Sequence, residues 1–375
     1  MTRQELSETA LKLIDTTKCL VLELITGYGK TKLSIDLSNH ICDRVFERYN
    51  TPTRILILVS KVVHKTTWSN EINKWGGIKS DNIIIECYES LKKYKDQYFD
   101  IVILDEMQHL SPLRAEILKS LKVNEAIIGL SATINRDLRT YFRETYNAKI
   151  LKCGLKEAIE NDILPDPKVY LIPLKLDNKR MMSFERKGSK LYTTPQSYYN
   201  LLSTDIDIAK RRYLRSNNPR LKNVWLSLAG KRLKFLSEQK EDIVKELLIK
   251  FNNERTLVFC NNISQAERLG KYNITSKNKD SSKNLEDFNS GKIHHITACN
   301  ILNESVNLVN CKIGIFCNLN SSEIITKQRC GRLLRHKEPI IIIPYFENTR
   351  EEELMLKMIE EYNKGNITKL LWKVR

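Results

Sequence analysis

Leu24-Ile25-Thr26-Gly27-Tyr28-Gly29-Lys30-Thr31, LITGYGKT, is the stretch on which the fold turns. An apolar run, CLVLELI (19–25), leads into it, and an amphipathic run, KTKLSIDLSNHICDRVFERY (30–49), leads out. Strand, glycine turn and helix in that order are the setting of a phosphate-binding loop. Thr26, Gly27, Tyr28 and Gly29 form the turn, whose two glycines let the backbone aim N–H groups inward. Lys30 would then reach the β- and γ-phosphates of a nucleotide, and the Thr31 hydroxyl a Mg²⁺ ion. The general pattern G-x-x-x-x-G-K-[ST] wants glycine where Leu24 stands. Taken alone, the octet is equally compatible with a strand-turn-helix that happens to contain Gly-Lys-Thr.

The surrounding pattern decides for an α/β protein. RILILVS (54–60), NIIIECY (82–88), DIVILDE (100–106) and AIIGLSA (126–132) are near-continuous apolar runs, as expected of parallel strands buried on both faces. Helical stretches such as TTWSNEINKW separate them. GLKEAIENDILPDP (154–167) reads as a short helix followed by a break marked by proline, and KVYLIPLKL (168–176) is one more strand. Residues 177–250 hold no convincing strand and read as helices punctuated by Pro195 and Pro219. Alternation returns with RTLVFCN (255–261), KIHHITAC (292–299), CKIGIFCN (311–318) and EPIIIIPYF (338–346). The expectation is two α/β units: residues 1–152, a linker at 153–167, and residues 168–375 with a basic, mainly helical insertion at about 177–250.

Two further constellations bear on chemistry. DIVILDEMQH sets Asp105 and Glu106 at the end of a hydrophobic strand, awkward for packing and apt for a metal-nucleotide site. Asp105 would hold Mg²⁺ and Glu106 would orient the attacking water. In KQRCGRLLRHK (327–337), Gln328, Arg332 and Arg335 recur at helical spacing, with the two arginines on one face. Such guanidiniums can stabilise charge building on a γ-phosphoryl group, although a basic helix face can also be merely solvated.

Composition limits the partners. The 375 residues carry a net charge of +17, which calls for a polyanion, and residues 177–234 hold 14 Lys or Arg against 4 Asp or Glu. No apolar run approaches the roughly 18 residues of a membrane span. Nine cysteines lie scattered without a CxxC pair, arguing against a zinc cluster or redox motif. MTRQELSETALKLIDTT is too acidic and polar for a secretory leader, so a reduced, cytoplasmic protein is expected.

The motifs, in this order, resemble the signature of the superfamily two, DEAD/DEAH-like helicases, most closely the compact XPB-like or phage UvsW-like translocases. Gln4 in TRQELS resembles the adenine-reading glutamine, LITGYGKT motif I, LVSKVVHKTTW motif Ia and CYESL (87–91) a nucleic-acid-touching motif. DEMQH is similar to the DExH box, LSAT (130–133) to motif III, TLVFCNN (256–262) to motif IV, ACNILNESVNL (298–308) to motif V and QRCGRLLR to motif VI. The resemblance implies two RecA-like lobes using ATP and Mg²⁺. Nucleic-acid contacts would come from Ser60, Lys61, Tyr88, Ser90, Asn261 and Asn300, and Ser131 and Thr133 would couple γ-phosphate loss to lobe movement. It further implies a monomer acting on single-stranded, duplex or branched DNA in preference to RNA, without a membrane. Proteins of replication, recombination or transcription would be its partners, in a bacterial or phage-infected cytoplasm. The chain departs from the family at Ser305, where glycine is usual, at Cys299, where threonine is usual, and at Gln108, which displaces His109 by one place.

The insertion matches none of these motifs. Its cations and rings suit a strand-separating or duplex-gripping element. Alternatively Trp225 and Phe235 are core residues of a small bundle with a solvated outside. A non-catalytic nucleic-acid clamp and a small-molecule kinase or ATPase also remain compatible with the residues.

Overall fold

The computed structural model describes residues 2–186, 188–299, 308–319, 331 and 333–372. The chain divides into two compact units: the first runs to Pro165 and also takes in Gly331, Leu333, Leu334 and Arg335, and the second begins at Asp166. That falls within the stretch expected as a linker, although its helix, α6 (Leu155–Glu160), clusters with the first unit.

In the first unit a lead helix, α1 (Arg3–Ile14), precedes six strands: β1 (Cys19–Leu24), β2 (Arg54–Val59), β3 (Asn82–Cys87), β4 (Tyr98–Leu104), β5 (Lys122–Ser131) and β6 (Lys149–Cys153). They form one sheet in the order β3-β2-β4-β5-β1-β6, every neighbouring pair parallel. Every residue of β1 is buried, which is why the sequence shows no alternation there. The crossovers are α2 (Lys30–Tyr49), α3 (Val62–Lys74), α4 (Pro112–Ser120) and α5 (Arg136–Tyr146), with a 3₁₀ turn at Tyr88–Tyr94. Helix ends follow local chemistry. Asn50 ends α2 at φ 49°, a left-handed conformation that asparagine tolerates, and Asn135 caps α5 by accepting the Leu138 N–H.

The second unit holds a seven-stranded, all-parallel sheet. Its strands in chain order are β7 (Lys168–Leu174), then β10 (Thr256–Phe259), β11 (Asn273–Ile274), β12 (His295–Ala298), β13 (Ile313–Phe316), β14 (Ile340–Phe346) and β15 (Ile367–Lys369), arranged β11-β12-β10-β13-β14-β7-β15. The short strands β11 and β15, both at the sheet's edges, have no counterpart in the apolar runs. Between β7 and β10 lies the insertion, and it differs from expectation twice. A two-stranded antiparallel hairpin, β8 (Met182–Arg186) and β9 (Ser189–Thr193), precedes α7 (Pro195–Ser216) and α8 (Pro219–Glu238). Its strands are five residues each and largely exposed, so no apolar run announces them. The insertion also ends earlier than 250. Helix α9 (Glu241–Lys250) buries Ile243, Val244, Leu247 and Leu248 in the core of the second sheet, against Val258, Ile313 and Ile342.

Pro195 and Pro219 are the first residues of α7 and α8, where proline's missing N–H costs nothing, and Thr194 and Asn218 cap them. The base of this helical hairpin is anchored by Tyr198, Tyr199, Leu202, Phe235 and Leu236, packed with Leu176 and Phe346. Phe235 is thus core, as one reading of the sequence has it.

One ion pair ties α9 to the helix after β14, α10 (Arg350–Ile359). The Lys240 ammonium donates to Glu351 Oε1 at 2.6 Å, with both side chains essentially inaccessible to water, and also to the Pro344 carbonyl at 3.3 Å. Removing one partner of a buried pair strands the other charge. Lys240→Ala should therefore lower unfolding stability by about 3–5 kcal/mol. The double substitution Lys240→Met, Glu351→Leu should recover most of it, both read by urea unfolding.

Candidate functional site

The sheet order of the first unit brings three strand ends together. Strand β5 lies between β1 and β4, so Glu23 stands beside Ser131 and Leu104 beside Gly129. The loop after β1, the carboxylates after β4 and the Ser131–Thr133 turn after β5 therefore open at one sheet edge. The carboxyl ends of parallel strands are where open α/β sheets bind ligands.

In the loop, Gly27 (φ 92°) and Gly29 (φ 102°) take left-handed conformations closed to a side chain at ordinary cost. Gly29 caps α2, so the first N–H groups of a 20-residue helix face the loop. Lys30 Nζ donates to the Leu24 carbonyl at 2.8 Å. The Thr26 and Tyr28 hydroxyls are buried and find no hydrogen-bond partner among the described residues, and burial pushes the Tyr28 phenol up to about 12. Gly331, which clusters with this unit, stands so close that a Cβ would lie 2.6 Å from the Thr26 carbonyl oxygen.

Asp105 is held from two directions. Its Oδ2 accepts the Trp68 indole N–H at 2.9 Å, and its carbonyl accepts the Tyr88 hydroxyl at 3.0 Å. Burial, followed by the neighbouring Glu106 charge, pushes its carboxyl up to about 6, against the opposing pull of the Trp68 N–H and the Lys30 cation. Glu106 sits at φ 48°, ψ 54°, a conformation that costs a residue bearing a side chain about 1–2 kcal/mol. Gln108 Nε2 donates to Glu106 Oε2 at 2.6 Å, and Gln108 Oε1 accepts from Ser131 Oγ at 2.6 Å. The Ser131 proton is shared with the Thr133 carbonyl at 2.8 Å, and Ser131 Oγ accepts the Thr133 N–H at 3.1 Å. The Thr133 hydroxyl is a third buried group with no partner among the described residues. A glutamine in the fourth place of DEMQ thus bridges carboxylate and serine directly.

The other residues singled out from sequence fall as follows. Ser60 Oγ lies 3.2 Å from His64 Nδ1, and Lys61 is exposed at the start of α3. Ser90 is half-buried in the 3₁₀ turn. Tyr88 departs from expectation: it is 1% exposed, with its hydroxyl committed to Asp105, so it supports the carboxylate strand and has no surface to offer a nucleic acid. Gln4 is exposed on α1 and donates to Glu8 Oε1 at 3.0 Å. In the second unit Asn261 Nδ2 donates to Asn318 Oδ1 at 3.1 Å, and the Cys299 thiol donates to the Asn261 carbonyl at 3.3 Å. Arg335 is exposed. Asn300, Ser305, Gln328 and Arg332 lie outside the described residues.

Two supports escape a reading of the sequence. Trp68 shows there only as part of a helix and as the last residue of LVSKVVHKTTW, with no role of its own. Glu23, buried in β1, pairs with Arg139 at 2.5 Å and accepts the Ile134 N–H at 3.4 Å, fixing the turn after Ser131. A glutamate inside a strand otherwise wholly apolar is the available signal.

A family model, the helicase conserved C-terminal domain, matches residues 239–337, beginning where the insertion ends. The match supports the resemblance to superfamily two helicases that the motifs carry. The chain is 23% identical over 341 residues to the DNA 3'-5' translocase XPB2 of Sulfurisphaera tokodaii, covering 85% of this chain and 75% of that protein. Its fold is similar to that of the Hef helicase domain of Pyrococcus furiosus, with TM-score 0.58, 12% identity, and 94% of this chain and 97% of that one covered. It is likewise similar to S. cerevisiae Dbp5 bound to RNA and ADP BeF3, with TM-score 0.61, 13% identity, and 98% and 89% covered. The two RecA-like parallel sheets are those of such helicases.

The raised Asp105 pKa has a consequence for stability. An unfolded aspartate titrates near 3.8 and the folded Asp105 at about 6, so the folded protein holds an extra proton between them. Stability contributed by that proton is present below the lower value and is lost as pH rises through the higher one. Asp105→Asn, which keeps an acceptor for Trp68, should therefore stabilise the metal-free protein at pH 7–8 by up to about 3 kcal/mol, two units of pKa. The gain should vanish near pH 4, as read by unfolding curves across that range.

Proposed function

We propose that the first unit binds and hydrolyses ATP with Mg²⁺, and that the protein uses this cycle to move along or unwind nucleic acid, with DNA as substrate. The observation that carries this reading is the single sheet edge at which a glycine loop opening a helix, two carboxylates and the Gln108–Ser131 bridge converge.

Each residue there has chemistry suited to a part. The N–H groups of the loop and Lys30 suit the β- and γ-phosphates, and Lys30, now on the Leu24 carbonyl, has an acceptor to exchange for them. Thr31 and Asp105 are hard oxygen donors for Mg²⁺, which neutralises phosphate charge when bound. A cation there would also relieve the crowding of Asp105 by Glu106 that raises the Asp105 pKa. Glu106, held by Gln108, would polarise or orient the attacking water. Loss of the γ-phosphate would be felt at Ser131 and Thr133 through Gln108, while Gln328, Arg332 and Arg335 are assigned to the developing charge by family resemblance. Ser60, Lys61, Ser90, Asn261 and Asn300 are assigned to nucleic acid on the same ground. DNA is favoured because the sequence relative with the broad overlap is a DNA translocase.

Lys30→Ala and Glu106→Gln test the assignment. Each should reduce nucleic-acid-stimulated ATP hydrolysis by at least about 10²-fold, with the far-UV circular dichroism of the parent. Hydrolysis at the parent's rate by either variant would show that the site is wrongly placed.

A further inference from the structure

The helical hairpin of the insertion has a far end that the ATP chemistry does not use. From residue 208 to residue 237 the chain carries nine Lys or Arg and no Asp or Glu. Six of the nine, Lys210, Arg211, Arg212, Arg215, Arg220 and Lys222, cluster around the turn that joins α7 to α8. All six are exposed, and the helix positions around them are largely open to water. The ion pairs described for the insertion, Arg186–Asp205, Lys234–Glu238 and Arg268–Glu238, involve none of the six. A solvated helix normally intersperses both signs. Six like charges gathered at one tip repel each other, and the protein gains nothing internal from holding them there.

The tip is stiffened. Tyr213 of α7 and Trp225 of α8 stack with ring centroids 5.9 Å apart and planes at 24°, and Lys210 Nζ stands 5.9 Å from the Trp225 centroid. These contacts clip the helices together well beyond the buried aromatic base. They also take up the rings: Trp225 has a tyrosine on it and a lysine near it, so it is half-buried and serves as a brace. Base stacking on exposed rings, the usual way to hold an unpaired strand, is poorly served here. What remains on offer is a rigid array of cations, suited to a partner with regularly spaced phosphates.

We infer that the α7–α8 tip is a second nucleic-acid site, apart from the strand-end elements of the two sheets, which grips the phosphate backbone of a DNA duplex without reading its sequence. The inference rests on the proposal that nucleic acid is the protein's substrate, and it adds where and in what form a further segment is held. Phosphate contacts release counterions, so such a grip weakens log-linearly with salt, by a slope of about 0.9 per phosphate neutralised.

The test compares the parent with the triple variant Arg212→Ala, Arg215→Ala, Arg220→Ala, none of which is assigned to the nucleotide site. Binding of a fluorescent blunt DNA duplex and of a single strand of the same sequence is followed by anisotropy from low to moderate salt. Basal ATP hydrolysis and thermal unfolding are measured alongside to establish that the variant is folded. The expected result is at least tenfold weaker duplex binding at low salt, with a salt slope lower by about 2–3, from roughly 0.9 for each phosphate no longer neutralised. Single-strand binding should change less than threefold. An unchanged duplex affinity and slope would overturn the assignment of the tip, and a weakening confined to the single strand would overturn its assignment to duplex. If the parent itself binds neither DNA at low salt, the nucleic-acid reading of the whole protein falls with it.

Discussion

The candidate site depends on one topological constraint, the placing of β5 between β1 and β4. Parallel strands in register end together, so whatever follows these three must share a sheet edge. The loop needs glycines because only a left-handed turn carries the chain from β1 into α2 while leaving backbone N–H groups exposed. The turn after β5 needs Ser131 because its hydroxyl lies within 2.6 Å of the glutamine that holds Glu106. Chain topology supplies the proximity, and short polar contacts supply the orientation.

Packing a carboxylate pair into such an edge is costly, and the surroundings show how the cost is contained. Asp105 is tied through its side chain to Trp68 on α3 and through its carbonyl to Tyr88 on the 3₁₀ turn. Neither contact neutralises it. Together they fix its position while burial and Glu106 keep it poorly solvated, a state that a divalent cation would relieve. Glu106 is in turn held in a left-handed conformation. Strain and unfavourable charge sit at the residues assigned to chemistry, while Glu23–Arg139 beneath them is a fully paired support.

Much of this is legible in the sequence, for identifiable reasons. Strands buried on both faces leave near-continuous apolar runs, so β1, β2, β4 and β5 announce themselves, and the phosphate loop is a local feature whose glycines, lysine and threonine are adjacent. The fourth residue of the DEMQ run is visible as a departure, but its bridging of Glu106 and Ser131 needs the strand order. Tyr88 and Trp68 are legible only through the motifs that contain them. Their bonds to Asp105 span 17 and 37 residues, and no local pattern encodes such a contact. The β8–β9 hairpin escapes notice because an exposed strand pair of five residues each buries too little to leave a hydrophobic signature. In the insertion, charge is legible from composition. That Trp225 braces the hairpin, whereas Phe235 anchors it, depends on which side of each helix faces its neighbour.

That LITGYGKT and Asp105 build one nucleotide site is tested most directly by a crystal structure with Mg²⁺ and a non-hydrolysable ATP analogue. The expected result is β- and γ-phosphates on the N–H groups of residues 26–31, with Lys30 Nζ moved from the Leu24 carbonyl onto a phosphate oxygen. An ion should stand about 2.1 Å from Thr31 Oγ1, with Asp105 beside it or joined through water. A nucleotide bound elsewhere, with Lys30 still on the Leu24 carbonyl, would contradict it.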